Sequence, residues 1–273
     1  MGEQPRVSLP KRSPAVSNDD GGSRGSDYVE WKGWVDQTPF GQLPAGESAY
    51  FDSELRDVRV APGGVKDVLE IGYGNGAFLS YCRERGWKVT GTELEPALVQ
   101  AGANAGFAVF TSDRMNEIAD RSFDLIAVFD VPEHIPQDAV PEFLAELPRK
   151  LREGGKILFR FPNADSWLGN ALQNGDSTHL NAIGYLKMTF FALQSGLEIV
   201  KFRGARRHGF ATSFVNGIYV LVAGPIIAVS STIKRALCFP GLPVVLSTSN
   251  VVCIVGRRNP EGPTRSSRSG NVV

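Results

Sequence analysis

Val68-Leu-Glu-Ile-Gly-Tyr-Gly-Asn-Gly-Ala77 is the stretch whose reading decides the fold. Val65, Val68, Leu69 and Ile71 make a short apolar run that leads straight into Gly72, Gly74 and Gly76. A helical pattern begins directly after the third glycine. The order is buried strand, tight turn, helix N-terminus. Glycine lets the backbone approach a ligand closely, and the helix end offers unpaired N–H groups. Such a turn suits a nucleotide-like ligand. Gly72-x-Gly74-x-x-Ala77 also satisfies the dinucleotide fingerprint with alanine in the last place. The turn alone therefore leaves the cofactor open, and a glycine turn that binds nothing is a third reading.

The acids around the turn narrow the choice. Glu70 stands two residues before the first glycine. A carboxylate there repels a pyrophosphate in a partly desolvated site and suits a ligand carrying an ammonium group. The next strand, Trp87-Lys-Val-Thr-Gly-Thr-Glu93, ends in an acid able to accept hydrogen bonds from both hydroxyls of a ribose. Glu93 thus points to an adenosine nucleoside without separating nicotinamide from other nucleoside cofactors. Phe107-Ala-Val-Phe-Thr-Ser-Asp113 reads as a third strand closing on an acid, either an adenine contact or an N-cap. Ser122-Phe-Asp-Leu-Ile-Ala-Val-Phe-Asp-Val-Pro-Glu-His134 is a buried strand followed by Asp130, Glu133 and His134. An open α/β sheet places its chemistry just past the carboxyl ends of such strands. An amphipathic segment over 139–151 and a strand closing on Pro162-Asn163 follow.

With these residues in place the chain resembles a class I S-adenosylmethionine-dependent methyltransferase. The resemblance rests on Glu70-Ile-Gly-Tyr-Gly-Asn-Gly76, Gly91-Thr-Glu93, Phe123-Asp-Leu-Ile126 through Glu133-His134, and Leu151-Arg-Glu-Gly-Gly155 through Pro162-Asn163, in that order. It covers about residues 65–203 and the last strand. It implies a Rossmann-like, doubly wound α/β sheet of seven strands, mostly parallel with an antiparallel last strand. It also implies S-adenosylmethionine as cofactor, held by Glu70, Gly72, Tyr73, Gly74 and Gly76. Glu93 and Leu94 would lie at the ribose, Asp113, Arg114 and Met115 at the adenine, and Asp130 and Val131 on the methionyl side. Two departures, the bulk of Tyr73 and the stiff Val131-Pro132, are expected to reshape the substrate side.

Methyl transfer from a sulfonium needs alignment and exclusion of water before anything else. A hydroxyl acceptor also needs help to lose its proton. His134 and His179, two of only three histidines, are the candidate bases, with Glu133 as an orienting carboxylate. Each has a plainer reading, His134 holding its own loop and His179 orienting the helix after it. The acceptor is read as a small molecule, a glycan or a lipid-linked compound. Two rival functions are a nicotinamide-dependent oxidoreductase, resting on the fingerprint alone, and a binding protein that keeps the fold without turnover.

Along the whole chain, 29 basic and 29 acidic residues cancel, so no basic field attracts nucleic acid. Cys82, Cys238 and Cys253 form neither a metal-binding spacing nor a disulfide framework, which suits a reducing compartment and predicts a cytoplasmic protein. The composition predicts disordered tails over 1–26 and 259–273. The domain is expected over 27–258. Its cap, 27–64, carries Trp31, Trp34, Phe40, Tyr50 and Phe51, and an apolar insertion spans 204–245. From Gly209 to Ile233 no residue is charged, long enough to cross a bilayer. A single crossing would strand the last β-strand, 250–257, on the wrong side. The expectation is therefore a helix pair broken at Gly224-Pro225, touching a membrane surface, its own core or a second subunit through 209–240.

Overall fold

The computed structural model describes residues 32, 39–44, 46–60, 63–206 and 214–258. The expected tails, Trp31, Trp34 and residues 207–213 lie outside them. Seven strands form one sheet: β1 (Asp67–Ile71), β2 (Lys88–Glu93), β3 (Ala108–Thr111), β4 (Phe123–Phe129), β5 (Leu151–Pro162), β6 (Leu197–Gly204) and β7 (Asn250–Arg257). Their order across the sheet is β3-β2-β1-β4-β5-β7-β6. The first five run parallel. β7 is antiparallel to both β5 and β6, so β6 shares the direction of β5. The carboxyl ends of β1, β2, β4, β5 and β6 therefore meet at one edge. The strand order reverses between β1 and β4, and that crevice is where such sheets take ligands.

The strands are apolar because both faces are covered. Alternate residues serve alternate faces. Leu69, Ile71, Ile126, Val128, Ile157 and Phe159 face α4 (Val140–Lys150) and α6 (Tyr185–Gln194). Val68, Leu125, Ala127 and Leu158 face the opposite layer of α1 (Glu47–Leu55), α2 (Ala77–Glu84) and α3 (Pro96–Asn104). Pro96 opens α3, where its missing N–H costs nothing.

The segment after β3 is a 3-10 turn, Ser112–Glu117. A short helix α5 (Asn170–Gly175) precedes α6. The cap contains α1. Its Glu54 is fully buried, 2.5 Å from Arg203 Nη1, and its Oε1 accepts the backbone N–H of Arg206. Asp57, just past α1, takes Lys201, Arg203 and Arg206. Charge partners on β6 thus secure a helix with little amphipathic pattern of its own.

The insertion departs from the helix pair expected for it. Residues 214–238 are one continuous helix, α7 (Phe214–Cys238), with Pro225 inside it. Proline removes only its own hydrogen bond and crowds one carbonyl, and a helix growing in apolar sequence on both sides absorbs that loss. Ile218, Leu221, Val222, Ile226, Val229 and Leu237 are 46–78% exposed. Val220–Cys238 is long and apolar enough to cross a membrane by length and composition, with mean hydropathy 1.5.

Candidate active site

The glycine turn closes β1 with three residues at positive φ, Gly72 (68°), Gly74 (53°) and Gly76 (77°). The Gly72 amide donates to the Thr92 carbonyl at 2.8 Å, which locks the turn onto β2. A Cβ on Gly72 would meet Val131 Cγ2 at 2.5 Å, so the loop after β4 lies directly over the turn. A Cβ on Gly76 would meet the Phe40 ring, also at 2.5 Å. The Gly41 amide donates to the Asn75 carbonyl, so residues 39–41 cover the turn from the other side.

Glu70 is 3% exposed, and its Oε2 has no hydrogen-bond partner. Burial first, and the Glu93 charge second, hold its carboxyl well above the ordinary range. Glu93 accepts the Gly74 amide at 2.9 Å and its own neighbour Leu94 at 2.7 Å, which presents its carboxylate at the mouth of the turn. Leu94 is 80% exposed beside it. These features fit S-adenosylmethionine. The orphaned buried carboxyl would meet the ammonium, Glu93 the ribose hydroxyls, and Leu94 offers an apolar face.

The bulk of Tyr73 does not reshape the substrate side. Its ring is buried between β2 and α3, against Gly91 and Gly102, with its hydroxyl donating to the Leu98 carbonyl at 3.1 Å. A left-handed Gly72 and Gly74 on either side turn only the backbone of residue 73 toward the crevice, so the side chain packs inward and shapes no substrate. Asp113 is exposed in the 3-10 turn, and Thr111 occupies the capping place. Arg114 pairs with Glu117, and Met115 packs on the core. The structure thus brings Glu70, Glu93 and Leu94 together around the turn, with the Ser112–Glu117 segment following β3 at the same edge.

Past β4 the chain turns at Asp130, a non-glycine residue at φ 54°. Asp130 takes both nitrogens of an Arg160 fork, Nε at 3.1 Å and the closer Nη2. Arg160 Nη1 also donates to Tyr50 Oη at 3.0 Å. Arg160 sits near the carboxyl end of β5, on the same sheet face as Glu70, and reaches the site from there. Sequence reading missed it, although a lone charge inside Ile157-Leu-Phe-Arg-Phe161 was the signal. Tyr50 was read as a lead-in aromatic; here it brings α1 into the site.

Glu133 and His134 lie in a 3-10 turn, Pro132–His134. Glu133 is 1% exposed and neither carboxyl oxygen has a partner. Burial, then the Asp130 charge, push its carboxyl up to about 9. The Glu133 carbonyl accepts the amides of Leu180 (2.8 Å) and Asn181 (3.0 Å), tying this turn to the loop that carries His179. The two imidazoles stand edge to face, 4.7 Å between centroids. Burial and the neighbouring His179 lower the His134 pKa, so its neutral form dominates near pH 7. His134 Nδ1 lies 3.0 Å from Thr178 Oγ1. Asp176, 3.6 Å from His179 Nε2, is held near pKa 2: burial opposes its charge, but the Thr178 hydrogen bonds and Lys32 outweigh it.

Residues 49–201 match the family described as methyltransferase domain. Among curated proteins, the ubiquinone biosynthesis O-methyltransferase of Idiomarina loihiensis is 30% identical over 114 residues, 38% of this chain and 46% of that protein. Its counterpart from Pseudomonas fluorescens is 26% identical over 111 residues, 38% of this chain and 47% of that protein. The match spans about half the length of these relatives. Among solved structures, a SAM-dependent methyltransferase from Archaeoglobus fulgidus shares the fold at TM-score 0.56 and 18% identity, over 77% of this chain and 92% of that one.

Proposed function

The chain belongs to the methyltransferase-domain family, with S-adenosylmethionine as its cofactor, and from that premise we propose that it O-methylates a small, lipophilic acceptor at a membrane surface. The observation that carries the reading is the pairing of Glu70 and Glu93 across one glycine turn, an orphaned buried carboxyl for an ammonium and a half-buried carboxylate for a ribose. A pyrophosphate beside Glu70 would meet like charge, which disfavours the nicotinamide reading. When bound, S-adenosylmethionine supplies a methyl group on a good leaving group. The domain is read as 27–258, with 27–64 as cap and 204–245 as insertion.

The protein's own residues align and shield. Val131 and Phe40 cover the turn on two sides and exclude water. Arg160 neutralises Asp130 and holds Tyr50 at the crevice. Glu133, His134 and His179 carry the acceptor side, where a hydroxyl must lose its proton. Oxygen methylation is the activity in the names of the curated relatives, and these groups suit it.

The membrane part of the proposal comes from α7. It leaves from the end of β6 and returns to the start of β7, both at the edge that holds the site. By Val244 the chain is buried again, and Asn163 and Ser166 bind the carbonyls of Val245 and Leu246. From Cys238 to Val244 is six residues, which reach about 21 Å. The hydrocarbon core is about 30 Å thick. A crossing helix could not return in that distance, so α7 lies in the interface. Lys234 and Arg235 near its end suit anionic headgroups. Exposed Trp167 and Leu180, in loops past β5, add apolar surface.

Two measurements test the reading. Calorimetry with S-adenosylhomocysteine and with NAD(H) is expected to show binding of the first alone; the reverse overturns the cofactor assignment. Incubation of the chain with methyl-labelled S-adenosylmethionine and a membrane extract is expected to label an organic-soluble hydroxyl compound. Label found only in water-soluble glycan would overturn the acceptor class, and no label at all would favour a binding protein that retains the fold.

A further inference from the structure

The loops after β4 and α5 bring together groups that the sequence keeps 45 residues apart, His134 and His179. One carboxyl oxygen of Glu133 and one ring nitrogen each of His134 and His179 lie within 4.8 Å of one another. Two of these donors are buried with nothing to bind. Both oxygens of Glu133 and Nδ1 of His179 lack a hydrogen-bond partner, and the His179 side chain is 7% exposed. Leaving such groups unsatisfied costs on the order of 1–3 kcal/mol each.

The rings are also oriented from behind. Thr178 Oγ1 donates to Asp176 Oδ1 at 2.6 Å, so that hydroxyl can only accept from His134 Nδ1. A proton on Nδ1 leaves the lone pair of His134 on Nε2. On His179 the Asp176 carboxylate faces Nε2, so the lone pair falls on the buried Nδ1. A carboxylate or hydroxyl behind each imidazole is the arrangement that raises imidazole basicity toward a cation.

We propose that Glu133, His134 and His179 form a site for a divalent transition-metal ion, zinc by its donor set of two imidazoles and one carboxylate. Such a set binds with positions left open. Lys187 holds Asn181 from the far side (3.3 Å), which keeps the His179 loop closed on Glu133. For the reaction, the inference rests on the methyl-transfer reading above. An ion here would draw in the acceptor hydroxyl and lower its pKa. The hydroxyl proton then leaves to solvent, an oxygen lone pair forms the new O–CH3 bond, and the sulfur keeps the electron pair of the broken S–CH3 bond.

The test uses the full chain freed of metal with a chelator, titrated with cobalt(II) and then zinc(II). S-adenosylhomocysteine binding is measured on the same samples. The expected result is a stoichiometric visible absorption of low-symmetry cobalt that zinc displaces. E133Q and H179A should lose it while still binding S-adenosylhomocysteine, which reports that they fold. Asp176→Asn should weaken metal affinity about 10–100-fold. Wild-type chain that binds S-adenosylhomocysteine and takes up no cobalt overturns the inference, as does equal uptake by E133Q and H179A. Metal uptake with the expected ligand dependence, but no S-adenosylhomocysteine binding, would keep the metal site and defeat the methyl-transfer reading.

Discussion

Two carboxylates at the glycine turn do opposite things, and their surroundings explain why. Glu93 accepts hydrogen bonds from backbone amides, those of Gly74 at 2.9 Å and Leu94 at 2.7 Å. Removing it deletes the acceptor for two ribose hydroxyls. Glu93→Ala is expected to weaken S-adenosylhomocysteine binding by about 1.5–3 kcal/mol per lost charged hydrogen bond, read by calorimetry. Unchanged affinity in a folded variant would remove Glu93 from the site. Glu70 has no such donors, and burial raises its pKa. An arriving ammonium favours the ionised carboxyl, so binding should expel a proton. The sign follows: affinity for the cofactor rises with pH through the raised pKa and falls below it. Calorimetry in two buffers of different ionisation heat would count that proton. Glu70→Gln should abolish the release, and wild-type binding with no proton released would contradict the assignment.

At the scale of elements, the strands were legible and the cap was not. Expected strands at 123–129 and 250–257 coincide with the observed ones, because strands covered on both faces read as apolar runs bounded by turns. α1 lacked that signal: its holding force comes from β6, nearly 150 residues later. α7 was legible as an apolar run, but its continuity through Pro225 was not, since proline marks a break only statistically. The exposed face of α7 carries its own prediction. Ile226→Asp with Val229→Asp, both residues exposed, should leave the fold intact and abolish flotation with vesicles containing anionic lipid. Retained flotation would defeat the membrane role. Loss of a dimer on sizing in place of flotation would assign the face to a second subunit.

At the scale of the whole molecule, a charged cluster ties α1 to the far edge of the sheet. Glu54 is fully buried and Arg203 is its neighbour, on β6. Arg203→Ala removes the ion pair of that buried carboxylate and leaves it only the Arg206 amide, which should cost about 3 kcal/mol in urea unfolding. A loss below ~0.5 kcal/mol, the range of an ordinary surface change, would mean the cluster holds nothing. Asp57 in the same cluster has a pKa of about 2 against an ordinary 3.8. Its burial is outweighed by hydrogen bonds from Lys201 and Arg203 and by the charges of Arg203 and Arg206. A depressed carboxyl stabilises the fold above its unfolded pKa and loses that contribution as pH falls toward the folded one. Between about pH 4 and pH 2 the chain should lose on the order of 1 kcal/mol through this group, after allowance for screening. Asp57→Asn should flatten that part of the stability profile, and an unchanged slope would acquit Asp57.

The sequence by itself determined the sheet, the glycine turn, and the acids that end β1 and β2. Strand period, turn chemistry and the residue at a strand end are all local, so a linear reading reaches them. Only the tertiary structure decided which distant groups meet. Arg160 faces Asp130 and Tyr50 because alternate residues of β5 point to the layer that holds α1. Tyr73 turns into the core because the positive φ of the glycines beside it reverses the chain there. His179 reaches His134 because the Glu133 carbonyl binds the amides of Leu180 and Asn181. Such contacts are set by packing and by hydrogen bonds between loops far apart in the chain, and no local spacing of residue types encodes them.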